Sequence, residues 1–108
     1  MKKTPVDDLK RIEIDQFKKK GKRKVIVILD NVRSLNNIGS CFRTCDAFLI
    51  EKIYLVGITG KPPNKDIERT ALGATESVEW EHINSINDIA NKLKSQNWKI
   101  ILVEPVSY

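Results

Sequence analysis

Five consecutive aliphatic residues, Val25-Ile26-Val27-Ile28-Leu29, constrain this chain more than any other feature in it. A run with no polar alternation predicts a strand covered on both faces, as in a parallel sheet. Similar runs recur at Ile53-Tyr54-Leu55-Val56-Gly57 and Trp98-Lys99-Ile100-Ile101-Leu102-Val103, with a shorter one around Val78 to Trp80. Helical patterns fall between them. One covers Ile38 to Leu49, with Phe42, Cys45, Ala47, Phe48 and Leu49 available for packing. One covers Asp66 to Leu72 and stops at Gly73. A third follows Ser85 as N-cap, with Ile86, Ile89 and Leu93 on one face. The order is β-α-β, short α, short β, α, β. This predicts an α/β fold with a mostly parallel sheet and helices on both faces. The 108 residues suffice for at most one domain. Nothing after the last strand covers it, so a C-terminal half is expected in the complete protein; the alternative is a complete small αβα sandwich.

The first strand leads into a polar loop, Asp30 to Asn36, and then a helix. In α/β proteins ligands are held at such junctions. Asn36 or Asn37 can cap the helix. Gly39 and Ser40 keep its first turn slim, so a ligand or another chain can come close. Arg43 is a permanently charged group on a mostly apolar helical pattern, and it must reach solvent or bind an anion. Ser40 and Asn36 precede it by one and two turns on roughly the same face, with Asn37 at the edge. Together they suit a phosphate or a ribose hydroxyl. The competing expectation is an ion pair from Arg43 to Asp46 or Glu51.

Other chemistries find little support. Neither GxGxxG nor GxxxxGK[ST] is present, and no GxSxG elbow exists. The single histidine, His82, follows Trp80 and Glu81 and reads as a surface or packing residue. Asp30 and Asp46 are not placed together by spacing. Cys41 and Cys45 read as two reduced, partly buried thiols of a cytoplasmic protein, and two ligands do not make a metal site. No apolar run is long enough to span a bilayer.

Charge is uneven. The chain carries a formal +5, yet residues 1–24 hold ten Lys or Arg against four Asp or Glu, so the remainder is close to neutral. This divides the chain into a basic arm, 1–24, with an expected helix over residues 6–19, and a folded part, 25–108. Lys18, Lys19, Lys20, Lys22, Arg23 and Lys24 form a run suited to a polyanion such as RNA, or else a solvated leader.

The stretch Leu29 to Phe48 resembles the first motif of the SpoU/TrmH family, RNA ribose 2′-O-methyltransferases of the SPOUT superfamily. The Asn-Ile-Gly-Ser-x-x-Arg-Thr-x-Asp-Ala core stands here as Asn37, Ile38, Gly39, Ser40, Arg43, Thr44, Asp46 and Ala47. The resemblance continues through Ile53 to Gly57, Gly60 with Pro62-Pro63, and Thr70-Ala71-Leu72-Gly73-Ala74. It implies S-adenosylmethionine as methyl donor, tRNA or rRNA as substrate and a homodimer when full length; from the residues themselves, no membrane and no metal partner is expected. Arg43 matches the arginine that activates the ribose 2′-OH, and Asn37 the asparagine that shapes the same centre. Asn36 and Ser40 join the basic run as expected RNA contacts. The family's second and third motifs, Gly-x-Glu-x-x-Gly and Ser-Leu-Asn-Val-Ser, form the C-terminal trefoil knot and bind the donor. Neither occurs in this chain. The expectation is an incomplete SPOUT domain that by itself binds no donor and is inactive, with a noncatalytic RNA-binding module or pseudoenzyme as the alternative. A domain that completes its sheet through a partner chain is the third reading.

Overall fold

The computed structural model describes residues 21–105. The expected helix over residues 6–19 and Lys18, Lys19 and Lys20 lie outside the described residues. The elements run β1 (Arg23–Asp30), α1 (Leu35–Ala47), β2 (Ile50–Val56), α2 (Lys65–Ala71), α3 (Ala74–Ser77), β3 (Glu79–Ile83), α4 (Asn87–Ser95) and β4 (Lys99–Val103). All pairings are parallel, in the order β3-β2-β1-β4. Parallel strands require crossovers: α1 joins β1 to β2, α2 and α3 join β2 to β3, and α4 lies on the return from β3 to β4.

The aliphatic run of β1 is buried on both faces, as its lack of alternation requires. Val27 and Leu29 face one side and pack with Ile53 and Leu55 of β2, Ile38, Phe42 and Cys45 of α1, and Ile67 and Ala71 of α2. Ile26 and Ile28 face the other side, with Tyr54, Val56 and the α4 residues Ile89 and Leu93. Helices therefore cover both faces, as expected.

Several local expectations are corrected. β1 begins at Arg23, so Arg23 and Lys24 of the basic run belong to the strand. Lys24 Nζ lies 5.2 Å from the centre of the Trp98 ring. α1 begins at Leu35, not Ile38, and its cap is Ser34, whose hydroxyl accepts the Asn37 N–H at 3.2 Å. Asn36 and Asn37 are inside the helix and cap nothing. The helix stops at Ala47, and Leu49 turns the chain with φ 57°. Phe48 is 60% exposed rather than packed on the sheet. α2 ends one residue earlier than expected because Leu72 takes the left-handed conformation, and Gly73 follows with φ 87°. The segment after Gly73 forms the single turn α3 before β3. The N-cap of α4 is Ile86 rather than Ser85, although the Ser85 hydroxyl accepts the Asn87 N–H at 3.2 Å one residue ahead of it.

β4 lies at the sheet edge beside β1 and is covered least. Ile100, Ile101, Leu102 and Val103 are 38–50% exposed. Among the described residues no helix is long and apolar enough to cross a membrane.

Candidate functional site

The strand order places the site. From β1 the chain winds outward to β2 and β3, then returns across the sheet to add β4 on the other side of β1. The order reverses between β1 and β4. In open parallel sheets the crevice outside the carboxyl ends of the strands at such a reversal is where ligands sit. A cleft of about 410 Å³ lies there, lined by Leu29, Val32, Arg33, Ser34, Asn37, Cys41, Val103, Glu104 and Pro105. Asn37 thus lies at the cleft. An apolar groove of about 400 Å³ continues it between α1 and β4, sharing Cys41 and Val103. A smaller hollow of about 160 Å³ near Tyr54, Lys92 and Trp98 is lined by none of Asn36, Asn37, Ser40 and Arg43.

The loops that hold the cleft are tied by two polar residues that the sequence did not single out. Thr59 is 2% exposed. Its hydroxyl accepts the Val32 N–H at 3.0 Å and lies 2.9 Å and 2.8 Å from the Leu29 and Val56 carbonyls, either of which takes its proton. One side chain therefore fixes the exit of β1 against the exit of β2. Asn31 does the reverse, its Oδ1 accepting the Ile58 N–H at 3.1 Å. This crossing needs Gly57, which has φ +66°, and a Cβ there would collide with the Asn31 amide oxygen. The Ser34 cap had a readable signal, a hydroxyl three residues before Asn37. Thr59 had little, because the two partners by which it ties the loops together are 27 and 30 residues away.

The expected cluster on α1 divides into two sides. Asn37 and Cys41 face the cleft toward β4. Asn36, Ser40 and Arg43 are exposed on the outer face, where their spacing of four and three residues aligns them. Asn36 is engaged from α2: Arg69 Nη2 donates to its Oδ1 at 3.0 Å, and the Thr70 hydroxyl donates to its carbonyl at 3.0 Å. Arg69 also lay outside the sequence expectations. The ion pairs among the described residues are Lys52–Glu81 and Arg69–Asp66. Arg43 is in neither, so the expected pairing with Asp46 or Glu51 does not form. Its guanidinium stands exposed. Lys22 is half-buried, while Arg23 and Lys24 are exposed at the start of β1, at the opposite end of the strand from the cleft.

Gly39 requires a further correction. It is buried, and what approaches it is α2, not a ligand: a Cβ would collide with Thr70 Oγ1 and the Ile67 carbonyl. His82 is a packing residue as expected, with Nε2 2.9 Å from the Gly57 carbonyl oxygen. The Cys41 and Cys45 sulfurs are 4.0 Å apart and both thiols are free. The hydrogen bond from Cys45 lowers the Cys41 pKa against the opposing effect of burial, while the same bond, together with burial, raises that of Cys45. The first proton therefore leaves Cys41, whose thiolate accepts from the Cys45 S–H. In the folded chain iodoacetamide applied between about pH 7 and 9 is expected to alkylate Cys41 well before Cys45. Peptide mass mapping reads this directly, and equal labelling would contradict it.

Comparison with known proteins agrees with this architecture. The model of the SpoU rRNA Methylase family matches residues 24–107. An uncharacterized tRNA/rRNA methyltransferase of Borreliella burgdorferi is 29% identical over 98 residues, 91% of this chain and 42% of that protein. The 23S rRNA (guanosine-2′-O-)-methyltransferase RlmB of Vibrio vulnificus is 24% identical over 97 residues, 90% of this chain and 39% of that protein. The chain therefore spans about two fifths of these relatives. The fold is shared with the A. aeolicus TrmH/SpoU tRNA modifying enzyme, at a TM-score of 0.72 and 16% identity over 91% of this chain and 62% of that one. It is also shared with the SpoU methyltransferase AviRb of Streptomyces viridochromogenes in complex with AdoMet, at 0.71 and 17% over 98% and 50%. With a family match across nearly all of the described residues and a parallel sheet that reverses at the candidate cleft, the chain belongs to the SpoU rRNA methylase family of RNA methyltransferases.

Proposed function

We propose that this chain is the RNA-facing part of a ribose 2′-O-methyltransferase that modifies tRNA or rRNA with S-adenosylmethionine, in the cytoplasm and as a homodimer when full length. The observation that carries the reading is Arg43: an exposed guanidinium on the family's first motif, without an acidic partner among the described residues. The basic run Lys18 to Lys24 adds positive field for the same polyanion.

Arg43 and Asn37 are the catalytic residues in this reading, with Asn36 and Ser40 as RNA contacts. The methyl donor supplies an electrophilic methyl group when bound. The guanidinium has donors only, so it orients the RNA and stabilises negative charge as the 2′-OH loses its proton. An RNA phosphate oxygen is the better proton acceptor. Asn37, at the mouth of the cleft, shapes the centre from the cleft side of α1. Much of the rate gain comes from this positioning, and the 2′-OH itself distinguishes RNA from DNA.

Transfer of a labelled methyl group by the intact protein, followed by digestion to nucleosides, tests the assignment. A 2′-O-methylnucleoside is expected, and methylation confined to a base overturns it. RNA binding with no transfer would instead favour a noncatalytic RNA-binding module. Separately, calorimetry of the 108-residue chain with S-adenosylmethionine is expected to show no binding at micromolar concentration. Micromolar binding would overturn the expectation that the chain alone is inactive for want of a donor site.

A further inference from the structure

Arg69 fixes the orientation of the Asn36 side chain. Its Nη2 donates to Asn36 Oδ1 at 3.0 Å, which turns the carboxamide oxygen toward α2 and leaves the amide Nδ2 with its donors for the surface. The Thr70 hydroxyl holds the same residue by its carbonyl. Arg69 is not consumed by these bonds. Its side chain is 64% exposed, and the same Nη2 that serves Asn36 is also the atom 3.4 Å from Asp66 Oδ1. Nε and Nη1 make no hydrogen bond among the described residues.

The seam between α1 and α2 therefore presents donors: the remaining N–H groups of one guanidinium and an amide aimed by it. Asp66 is the acidic neighbour and weakens the local positive charge. A patch of this kind suits an anion with several acceptor oxygens, and a planar guanidinium suits a phosphodiester. We infer that the Arg69–Asn36 seam is a phosphate-binding subsite for the RNA backbone, with Arg69 supplying the charge and Asn36 the oriented donor. The inference rests on the RNA reading above. Asn36 and Arg43 are seven residues apart, about 10 Å along the helix axis. The seam thus takes the phosphate of a neighbouring nucleotide and sets the register of the RNA over Arg43, so Arg69 is a binding and positioning residue.

The test is fluorescence anisotropy of a labelled RNA stem-loop, titrated with the 108-residue chain over a series of KCl concentrations. Arg69→Met keeps the aliphatic stem and is expected to raise Kd about tenfold. It also lowers the slope of log Kd against log salt by roughly one. Asp66→Asn is expected to tighten binding about two- to threefold by removing the competing carboxylate. A merely structural Arg69 predicts the opposite sign, because Asp66 would then be lost as its support. If wild type binds and Arg69→Met matches it in Kd and slope, the subsite is overturned while the RNA reading stands. If wild type shows no salt-dependent binding, the RNA reading fails and the subsite with it. Should Arg69→Met lose its circular dichroism spectrum, Asp66→Asn decides: tighter binding supports the subsite, and unchanged or weaker binding overturns it.

Discussion

Arg43→Ala in the intact enzyme is expected to lower methyl transfer to RNA by roughly 10²–10³-fold, the usual loss when one preorganised group that meets developing charge is removed. Donor affinity should stay within about twofold, because the proposed role of the residue is on the RNA side. The side chain is exposed and has no ion-pair partner among the described residues, so stability should hardly change. Arg43→Lys separates charge from geometry. It keeps the cation and loses the planar fork, so it should recover only part of the activity. Single-turnover kinetics with a labelled donor, alongside calorimetry for that donor, give both quantities. Full activity in Arg43→Ala, or an equal loss of donor binding, would remove Arg43 from the proposed chemistry.

Gly39→Val is expected to have the largest effect on folding, about 3 kcal/mol. α1 and α2 meet at Gly39, where a side chain would drive into the Ile67 carbonyl and Thr70 Oγ1. The carbonyl is backbone and cannot rotate away, so the helices must separate. Separation would also break the Thr70 and Arg69 bonds to Asn36. Stability and RNA binding should therefore fall together. Urea unfolding should show the midpoint drop, and the melting temperature should fall by at least about 10 °C. Gly39→Ala meets the same atoms with less bulk and gains some helix propensity, so it should lie between. If Gly39→Val is as stable as wild type, the close approach of the two helices is wrong.

The comparison of these two residues shows what kind of information the chain carries locally. Arg43 was conspicuous in the sequence because a charge on an apolar helical pattern has to be accounted for. Gly39 was conspicuous too, but its reason was misread. A missing side chain signals close approach without saying by what, and the approaching body is thirty residues further along the chain. The same limit applies to Ser34 and Asn37. Ser34 lay in the polar loop and Asn37 just past it, both are good helix caps, and the actual cap depended on where the backbone left β1.

The sequence by itself determined the class of the fold and the identity of the central motif. The unbroken aliphatic run of β1 is buried on both faces, and period 3.6 between such runs calls for helices, so a parallel α/β sheet followed from local pattern, although the similar run of β4 stays 38–50% exposed at the edge. Tertiary structure alone decided that the sheet reverses between β1 and β4, which puts the cleft beside Asn37. It also decided that Thr59 locks the loops, and that Arg69 reaches Asn36 across 33 residues of chain. These contacts join segments far apart in sequence. Their geometry is set by how strands order and helices seat, and no local periodicity encodes it.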